Sequence, residues 1–321
     1  MLFQGIIKLN NKMKKKTASN IQAMTLSDVH QYHKLPAPVH PLISIINGVN
    51  DVVKIPINSL SANTVPDFYR IAYKPGLGGK VKYGQGFYDF SEGGMLFAAP
   101  NQLIANCGAD VEEVCSMYMI LVHPDFFINY PLAKNIKQYG FFSYAANEAL
   151  HLSEQEKKTI ISIFENIETE LNSRIDDFSQ DVIISQIELL LTYCNRFYKR
   201  QFITRKNVNN DLLQKVEDIL DNYFNDDISL SEGIPTVQFL AEKVNVSPRY
   251  LSDMIRSTLG QNTQGLIHHR LIEKAKEKLS VSNLSVSEIA YALGFEHPSS
   301  FTKLFRAKTH LSPLEFRKSF N

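Results

Sequence analysis

The spacing of apolar residues changes twice along this chain. From residue 40 to 122 they fall in short runs of strand length: Leu42–Ile46, Phe68–Tyr73, Val81–Tyr83, Phe87–Phe90, Met95–Ala99 and Val114–Val122. Turn formers separate the runs, among them Asn47-Gly48, Pro75-Gly76, Gly78-Gly79, Gly84, Glu92-Gly93-Gly94 and Pro100-Asn101. Many short strands with regular turns predict a small barrel or jelly roll. Past residue 150 the period becomes helical. Ser153 and Glu156 have capping-box spacing, and Ile160, Ile163, Phe164, Ile167 and Leu171 follow on one helix face. A second helix is expected from about Ser179 to Phe202. Its apolar residues Val182, Ile183, Ile184, Ile187, Leu190, Leu191, Cys194 and Phe197 cover more than one face, so a second buried contact, such as another subunit, is expected beside the intramolecular one. Residues 203–210 are polar and basic, ending Asn207-Val208-Asn209-Asn210, and read as an interdomain linker.

The third pattern runs from Asp211 to the end and is helical throughout. Thr236 is placed to cap a helix whose buried stripe is Val237, Leu240, Ala241 and Val244. Asn245-Val246 makes a turn. Ser247-Pro248 then restarts the helix, with serine as N-cap and proline at the first helical position, where a missing N–H does no harm. Leu251, Ile255 and Leu259 anchor this second helix, and Arg249, Ser252, Asp253 and Arg256 lie on its other face. A connecting helix follows, with Ile267, Leu271, Ala275 and Leu279 in one stripe. The logic then repeats. Ser285 and Glu288 have capping-box spacing; Val286, Ile289 and Leu293 form a stripe; Gly294 ends the helix; Pro298 opens another, anchored by Phe301 and Phe305. Its outward residues are Ser299, Thr302, Lys303 and Arg306. Two helix-turn-helix units joined by one stiff helix suit the reading of two neighbouring major grooves. From Thr263 to Val281 the connector rises roughly 28 Å at ~1.5 Å per residue, against ~34 Å between successive turns of B-DNA.

Charge supports that picture. The formal net charge of the 321 residues is only +1. Between Thr236 and Asn321, however, twelve Lys and Arg stand against seven Asp and Glu, while Asp211 to Glu232 is acidic. Positive charge is thus gathered near the C-terminus, as a DNA-contacting module requires. Cys107, Cys115 and Cys194 form no CxxC pair, so free thiols in a reducing cytosol are expected rather than disulfides or a zinc site. No apolar run is long enough to span a bilayer, and no secretory signal follows Lys12–Lys16, so a cytoplasmic protein without a membrane partner is expected. Leu2-Phe3-Gln4-Gly5 reads as the remnant of a protease site, and residues 1–24 are set apart as a flexible or expression-derived tail.

Several motifs resemble the DNA-binding domain of the AraC/XylS family of bacterial transcription regulators, over about residues 212–321. They are Val246-Ser247-Pro248-x-Tyr250-Leu251-Ser252, Arg270-Leu271 with Ala275, Ser285-Val286-Ser287-Glu288-Ile289-Ala290, Gly294-Phe295, and Ser312-Pro313-x-x-Phe316-Arg317. The resemblance implies that the second helix of each unit enters a major groove. Base-contact roles then fall to Arg249, Ser252, Asp253 and Arg256, and to Pro298, Ser299, Thr302 and Lys303, with Arg306 beside them. Phosphate contacts are implied from helix N-termini and from basic side chains such as Lys308. Two positions depart from the family pattern: His310 stands where glycine is usual, and His297 where Asp or Ser often caps the second recognition helix.

The β-rich region with its two helices resembles the cupin-like sensing and dimerisation domain of the same family, most clearly at Phe90-Ser91-Glu92-Gly93-Gly94-Met95-Leu96-Phe97-Ala98-Ala99-Pro100. The expected architecture is therefore multidomain. It comprises an N-terminal cupin-like β-barrel with two appended helices over residues 25–204, a linker over 205–211, and a C-terminal all-α domain with two helix-turn-helix units over 212–321. The barrel mouth offers a small-molecule site, with His40, Tyr73, Lys82, Tyr83 and Tyr88 as candidate lining. Metal-dependent cupins use His-x-His, which is absent here, so no metal, cofactor or enzymatic activity is expected. His30 and His33 read as exposed loop histidines, and Gly76-Leu77-Gly78-Gly79-Lys80 fails the phosphate-loop pattern. The expected function is sequence-specific regulation, more often activation than repression, by a homodimer that engages double-stranded promoter DNA and RNA polymerase in response to an effector. Two alternatives stand beside it: a cupin enzyme fused to a DNA-binding domain, and a dimerising regulator that binds no ligand.

Overall fold

A computed structural model describes residues 22–32, 34–48, 64–74, 80–83, 86–89, 94–102, 118–145, 148–173, 176–204, 206–226 and 228–319. The chain divides into two compact units, residues 1–138 with 151–192, and residues 139–150 with 193–321.

In the first unit, strands β1 (Gln22–Met24) and β3 (Thr64–Pro66) pair in parallel. Helix α1 spans Leu26–Tyr32. Strands β2 (Ile43–Asn47), β4 (Tyr69–Lys74), β7 (Gly94–Ala98) and β8 (Tyr118–Val122) make an antiparallel sheet in the order β2-β8-β4-β7, and β9 (Leu150–His151) ends that order. Strands β5 (Lys80–Tyr83) and β6 (Gly86–Asp89) pair with each other. Register explains why β8 is apolar throughout. Met119 and Leu121 share a face with Ile46 and Ala72, in a core with Met24, Leu26, Val29 and Phe68. Tyr118 lies on the opposite face and stacks on Phe164 of helix α3 (Glu154–Asn172), their ring centroids 5.4 Å apart. A strand buried on both faces reads as a continuous apolar run. Helix α2 (Leu132–Asn135) and short 3-10 turns lie between β8 and β9.

The sheet corrects the expected barrel. Among the described residues β2 pairs only with β8, and β5 and β6 only with each other, so the sheet is open. Alternation along each strand was visible in the sequence, but closure depends on pairing between distant strands, which alternation does not encode. Two further expectations change. Residues 22–24 are part of the fold, with Met24 buried, because β1 finds a partner in β3. His30 is no exposed loop residue: it sits on α1, buried, with Nδ1 2.5 Å from the Pro36 carbonyl oxygen and Nε2 2.7 Å from Ser44 Oγ. His33 lies outside the described residues.

Helix α4 (Ser179–Thr204) carries the chain from one unit into the other. Within the first unit's part of it, Ile183, Ile184, Ile187, Leu190 and Leu191 are buried. Val182 and Leu189 stay exposed in a row with Phe178, at spacings of four and seven.

The second unit is helical: α5 (Lys206–Asn225), α6 (Ser229–Glu232), α7 (Val237–Lys243), α8 (Pro248–Leu259), α9 (Thr263–Val281), α10 (Val286–Ala292), α11 (Pro298–Thr309) and α12 (Pro313–Lys318). Residues 206–211, read as linker, are the start of α5. The buried Asn209 donates its side-chain N–H to the Phe202 carbonyl at 2.6 Å, tying α5 to the end of α4. Helix α9 is the centre of the unit, with Leu266, Ile267, Leu271, Ile272, Ala275 and Leu279 buried against neighbours that include α5, α8, α10 and α12.

The second helices of the two helix-turn-helix units repeat each other residue by residue, while the turn before α11 is one residue longer than that before α8. Turn residues Asn245 and Gly294 both have positive φ, at 60° and 86°. Fifty residues separate Pro248 from Pro298, Leu251 from Phe301, and Ile255 from Phe305. The same interval separates Gly260 from His310, which end their helices in the left-handed conformation at φ 70° and 63°. Glycine takes that conformation freely, whereas an L side chain is strained by about 1–2 kcal/mol. His310→Gly should therefore stabilise the second unit by up to about 1 kcal/mol after the unfolded chain's greater entropy is counted. Gly294→Ala should destabilise it by more than about 2 kcal/mol, since a Cβ there would meet the Gly233 carbonyl oxygen and the Ile234 nitrogen at 2.8 Å. Urea unfolding of the two variants checks both signs.

Candidate nucleic-acid interface

Each recognition helix is set by a local start signal and an apolar anchor. In the first unit the Ser247 hydroxyl accepts from the Tyr250 N–H at 3.2 Å and Pro248 occupies the first turn. Leu251, Met254 and Ile255 are buried beneath the helix. In the second, Pro298 opens α11, and Phe301 and Phe305 are fully buried, their rings 5.6 Å apart. His297 occupies the N-cap position without a side-chain capping bond, and its backbone carbonyl accepts from the Ser300 N–H at 3.0 Å instead. The supporting helix α10 and the final helix α12 both start with reciprocal capping boxes, Ser285 with Glu288 and Ser312 with Glu315. Arg317, on α12, donates through Nε to the Leu279 carbonyl at 3.3 Å, which ties the last helix back to the end of α9.

The outward faces of α8 and α11 match by position. Arg249, Ser252, Asp253 and Arg256 lie on one side of α8, and Ser299, Thr302, Lys303 and Arg306 at the equivalent places on α11. The four α11 residues, with Ala307, line one open surface cleft. Ser299, Lys303 and Arg306 are exposed there, and Pro298 is half-buried. Ser252 and Thr302 are different: each hydroxyl donates back to the carbonyl of the helix's own proline, Pro248 at 2.8 Å and Pro298 at 3.0 Å. Their protons are thus already engaged within the helix, whereas the flanking arginines and Lys303 project a donor from a longer stem. On α8, Arg256 is exposed, while Arg249 Nε is 3.0 Å from Asp253 Oδ2. Basic residues on α9 are largely balanced nearby: Arg270 by Glu217 and Asp221, Lys274 by Glu277, Lys276 by Glu273.

Two residues absent from the sequence-based set touch the α8 face. The Tyr144 hydroxyl donates to Asp253 Oδ2 at 2.9 Å. The Glu148 carboxylate accepts from the Ser247 backbone N–H at 2.5 Å and from its hydroxyl at 2.6 Å. No periodicity or motif marks either residue, because both contacts join positions about a hundred residues apart.

Of the candidate small-molecule residues of the first unit, His40 and Tyr73 lie towards opposite ends of the sheet. His40 accepts the Leu42 N–H at Nδ1 and meets the edge of Phe126; burial lowers its pKa. Tyr73 is buried on β4, where desolvation raises its pKa. The Tyr69 end of β4 aligns with Ile43, which bridges His40, whereas Tyr73 aligns with Tyr118 and Asn47 at the far end of the sheet. Lys82, Tyr83 and Tyr88 lie on β5 and β6, and their side chains fall outside the described residues. A cavity of about 180 Å³ opens instead beside edge strand β2, where Leu35, Ser44, Glu168 and Asn172 are among the lining residues. Among the described residues, no group of three or more His, Cys, Asp or Glu is placed to hold a metal ion, and no helix is long and apolar enough to cross a membrane.

Comparison with known proteins agrees with this geometry. Residues 240–319 match the family model of a helix-turn-helix domain. An uncharacterized HTH-type transcriptional regulator of Staphylococcus aureus (strain MSSA476) is 29% identical over 138 residues, which is 43% of this chain and 17% of that protein. The uncharacterized HTH-type transcriptional regulator YijO of Escherichia coli K12 is 28% identical over 132 residues, 41% of this chain and 44% of that protein. The chain thus spans less than half the length of these relatives. Among solved structures, the C-terminal domain of AraT, a response regulator from Geobacillus stearothermophilus, is similar at 30% identity and a TM-score of 0.30, covering 34% of this chain and 84% of that one. The C-terminal end of the chain thus carries a helix-turn-helix domain.

The capping boxes make this domain sensitive to acid. Backbone and side-chain hydrogen bonds from Ser285 and Ser312 hold the Glu288 and Glu315 carboxyls below their ordinary value. A carboxylate depressed in the folded state contributes stability above its unfolded pKa and loses it as pH falls through the folded one. Carboxyl NMR titration should show both groups titrating below 4.5, and Ser285→Ala and Ser312→Ala should return Glu288 and Glu315 respectively towards that value.

Proposed function

We propose that the chain is a sequence-specific transcription regulator of AraC/XylS type that reads two successive major grooves of promoter DNA from one side. The observation that carries this reading is the fifty-residue correspondence between the α8 and α11 faces, in one compact unit with the connector α9. Arg249 and Arg256 on one helix, and Lys303 and Arg306 on the other, supply the long donors that reach base edges and phosphates. The first unit takes up the signal, with the cavity beside β2 as the candidate effector site. The exposed row Phe178, Val182 and Leu189 is the candidate face for a homodimer. On this reading the protein works in the cytoplasm and is not an enzyme. Effector binding alters how its DNA-binding domains meet the promoter and RNA polymerase, with activation as the expected outcome.

DNA recovered by in vitro selection with the full chain supplies the test. Arg249→Ala and Lys303→Ala should each relax base preference at a different half of the selected site, by about tenfold or more per position. Lys308→Ala should instead weaken all sequences alike and reduce the slope of log affinity against log salt by about one. Base preference that survives both of the first two substitutions overturns the assignment of the recognition helices.

A further inference from the structure

The two proposed recognition helices present equivalent faces, yet they differ in what touches them: Arg249 and Arg256 stay exposed on α8, but its N-terminus and Asp253 are bonded from outside the helix. On α11, Ser299, Lys303 and Arg306 are exposed around an open cleft, and the N-cap position makes no side-chain capping bond. On α8 the matching features are engaged by residues Tyr139–Leu150, which belong to the same compact unit. The Ser247 N–H and hydroxyl at the helix N-terminus both go to Glu148. Asp253 accepts from Tyr144 and pairs with Arg249. Gly140 lies so close to this pair that a Cβ would overlap Asp253 Oδ2 and stand 2.6 Å from Arg249 Nε. Aromatic packing holds the arrangement: Tyr144 meets Tyr250 of α8 at 5.3 Å and Tyr198 of α4 at 5.2 Å, and Phe141 stacks on Tyr198 at 5.5 Å.

A helix N-terminus with a free N–H and a hydroxyl is where a DNA phosphate is bound. Here a buried carboxylate fills that place. The same segment bonds Asp253, the partner of Arg249, and brings Gly140 close to both; these are two of the four side chains that the reading above assigns to base edges. We propose that Tyr144 and Glu148 form an intramolecular clamp that competes with DNA for the first recognition helix, leaving the second unit to bind alone until the clamp is released. This rests on the assignment of α8 as a DNA-reading helix. The clamp is a balance rather than a permanent seal. Burial opposes the charge on Glu148, while N–H and O–H donors from Ser247 and Ala145 support it.

The test uses the full chain and two DNAs: the selected two-groove site, and the same site with the half read by the first unit scrambled. A clamp closed in about nine molecules of ten lowers apparent affinity about tenfold. Glu148→Ala and Tyr144→Phe should therefore each strengthen binding to the two-groove site, by up to about tenfold, and leave binding to the half-scrambled site unchanged. Tyr144→Phe keeps the ring packing and removes only the hydroxyl contact, so it decides the matter if Glu148→Ala no longer melts cooperatively. Unchanged or weaker binding to the two-groove site by a cooperatively melting variant overturns the clamp. Failure of the DNA-reading assignment looks different: neither wild type nor any variant then distinguishes the selected site from a fully scrambled one, and Lys303→Ala has no effect.

Discussion

The C-terminal unit depends on the burial of one side of α9. Leu266, Ile267, Leu271, Ile272, Ala275 and Leu279 are buried on a helix that contacts α8 of one helix-turn-helix unit and α10 of the other, and each unit by itself is too small to enclose a core. At roughly 1.5–3 kcal/mol for each large apolar side chain removed from water, this stripe dominates the free energy that holds the units in fixed register. Because the shared surface is a packed helix and not a flexible tether, the distance between α8 and α11 is a property of the fold. Arg317 reinforces it by bonding the last helix to the Leu279 carbonyl.

A polar interaction sets the availability of α8. Glu148 is a carboxylate held almost out of water, a placement that costs free energy unless its oxygens are well supplied with donors. Ser247 supplies two and Ala145 a third, and the neighbouring aromatic rings exclude water. Burial and hydrogen bonding act in opposite directions on this carboxylate, and contacts opposed in that way are the ones that a change elsewhere can reverse.

What was legible beforehand follows the range of the interaction concerned. Thr236, Ser247 and Ser285 announced helix starts, and Gly294 a left-handed stop, because a cap involves residues no more than four apart. The departures at His297 and His310 were legible for the same reason: one fails to cap and the other takes the strained left-handed conformation. Strands β2, β4, β7 and β8 were visible as apolar runs, but an open sheet and a closed barrel share the same alternation. His30 was misread because its burial depends on Ser44, fourteen residues away. The polar stretch before Asp211 looked like a linker because its helical start is stabilised by Asn209 reaching back to Phe202, a contact with no signature in composition. Every residue of the expected DNA-facing set lies on α8 or α11. The occupancy of Ser252 and Thr302 by their own helix carbonyls, and the cover over α8, emerged only from coordinates.

The fifty-residue correspondence between the units has a geometric consequence. Their backbones are matched, but their outward chemistry is not: Arg249 corresponds to Ser299, and Asp253 to Lys303. An acidic group on one helix stands where the other has a base. On the proposed reading, a single chain carries two unlike readers in a fixed head-to-tail order. DNA that suits such a pair has no internal twofold symmetry, so on that reading each bound molecule points one way along the duplex.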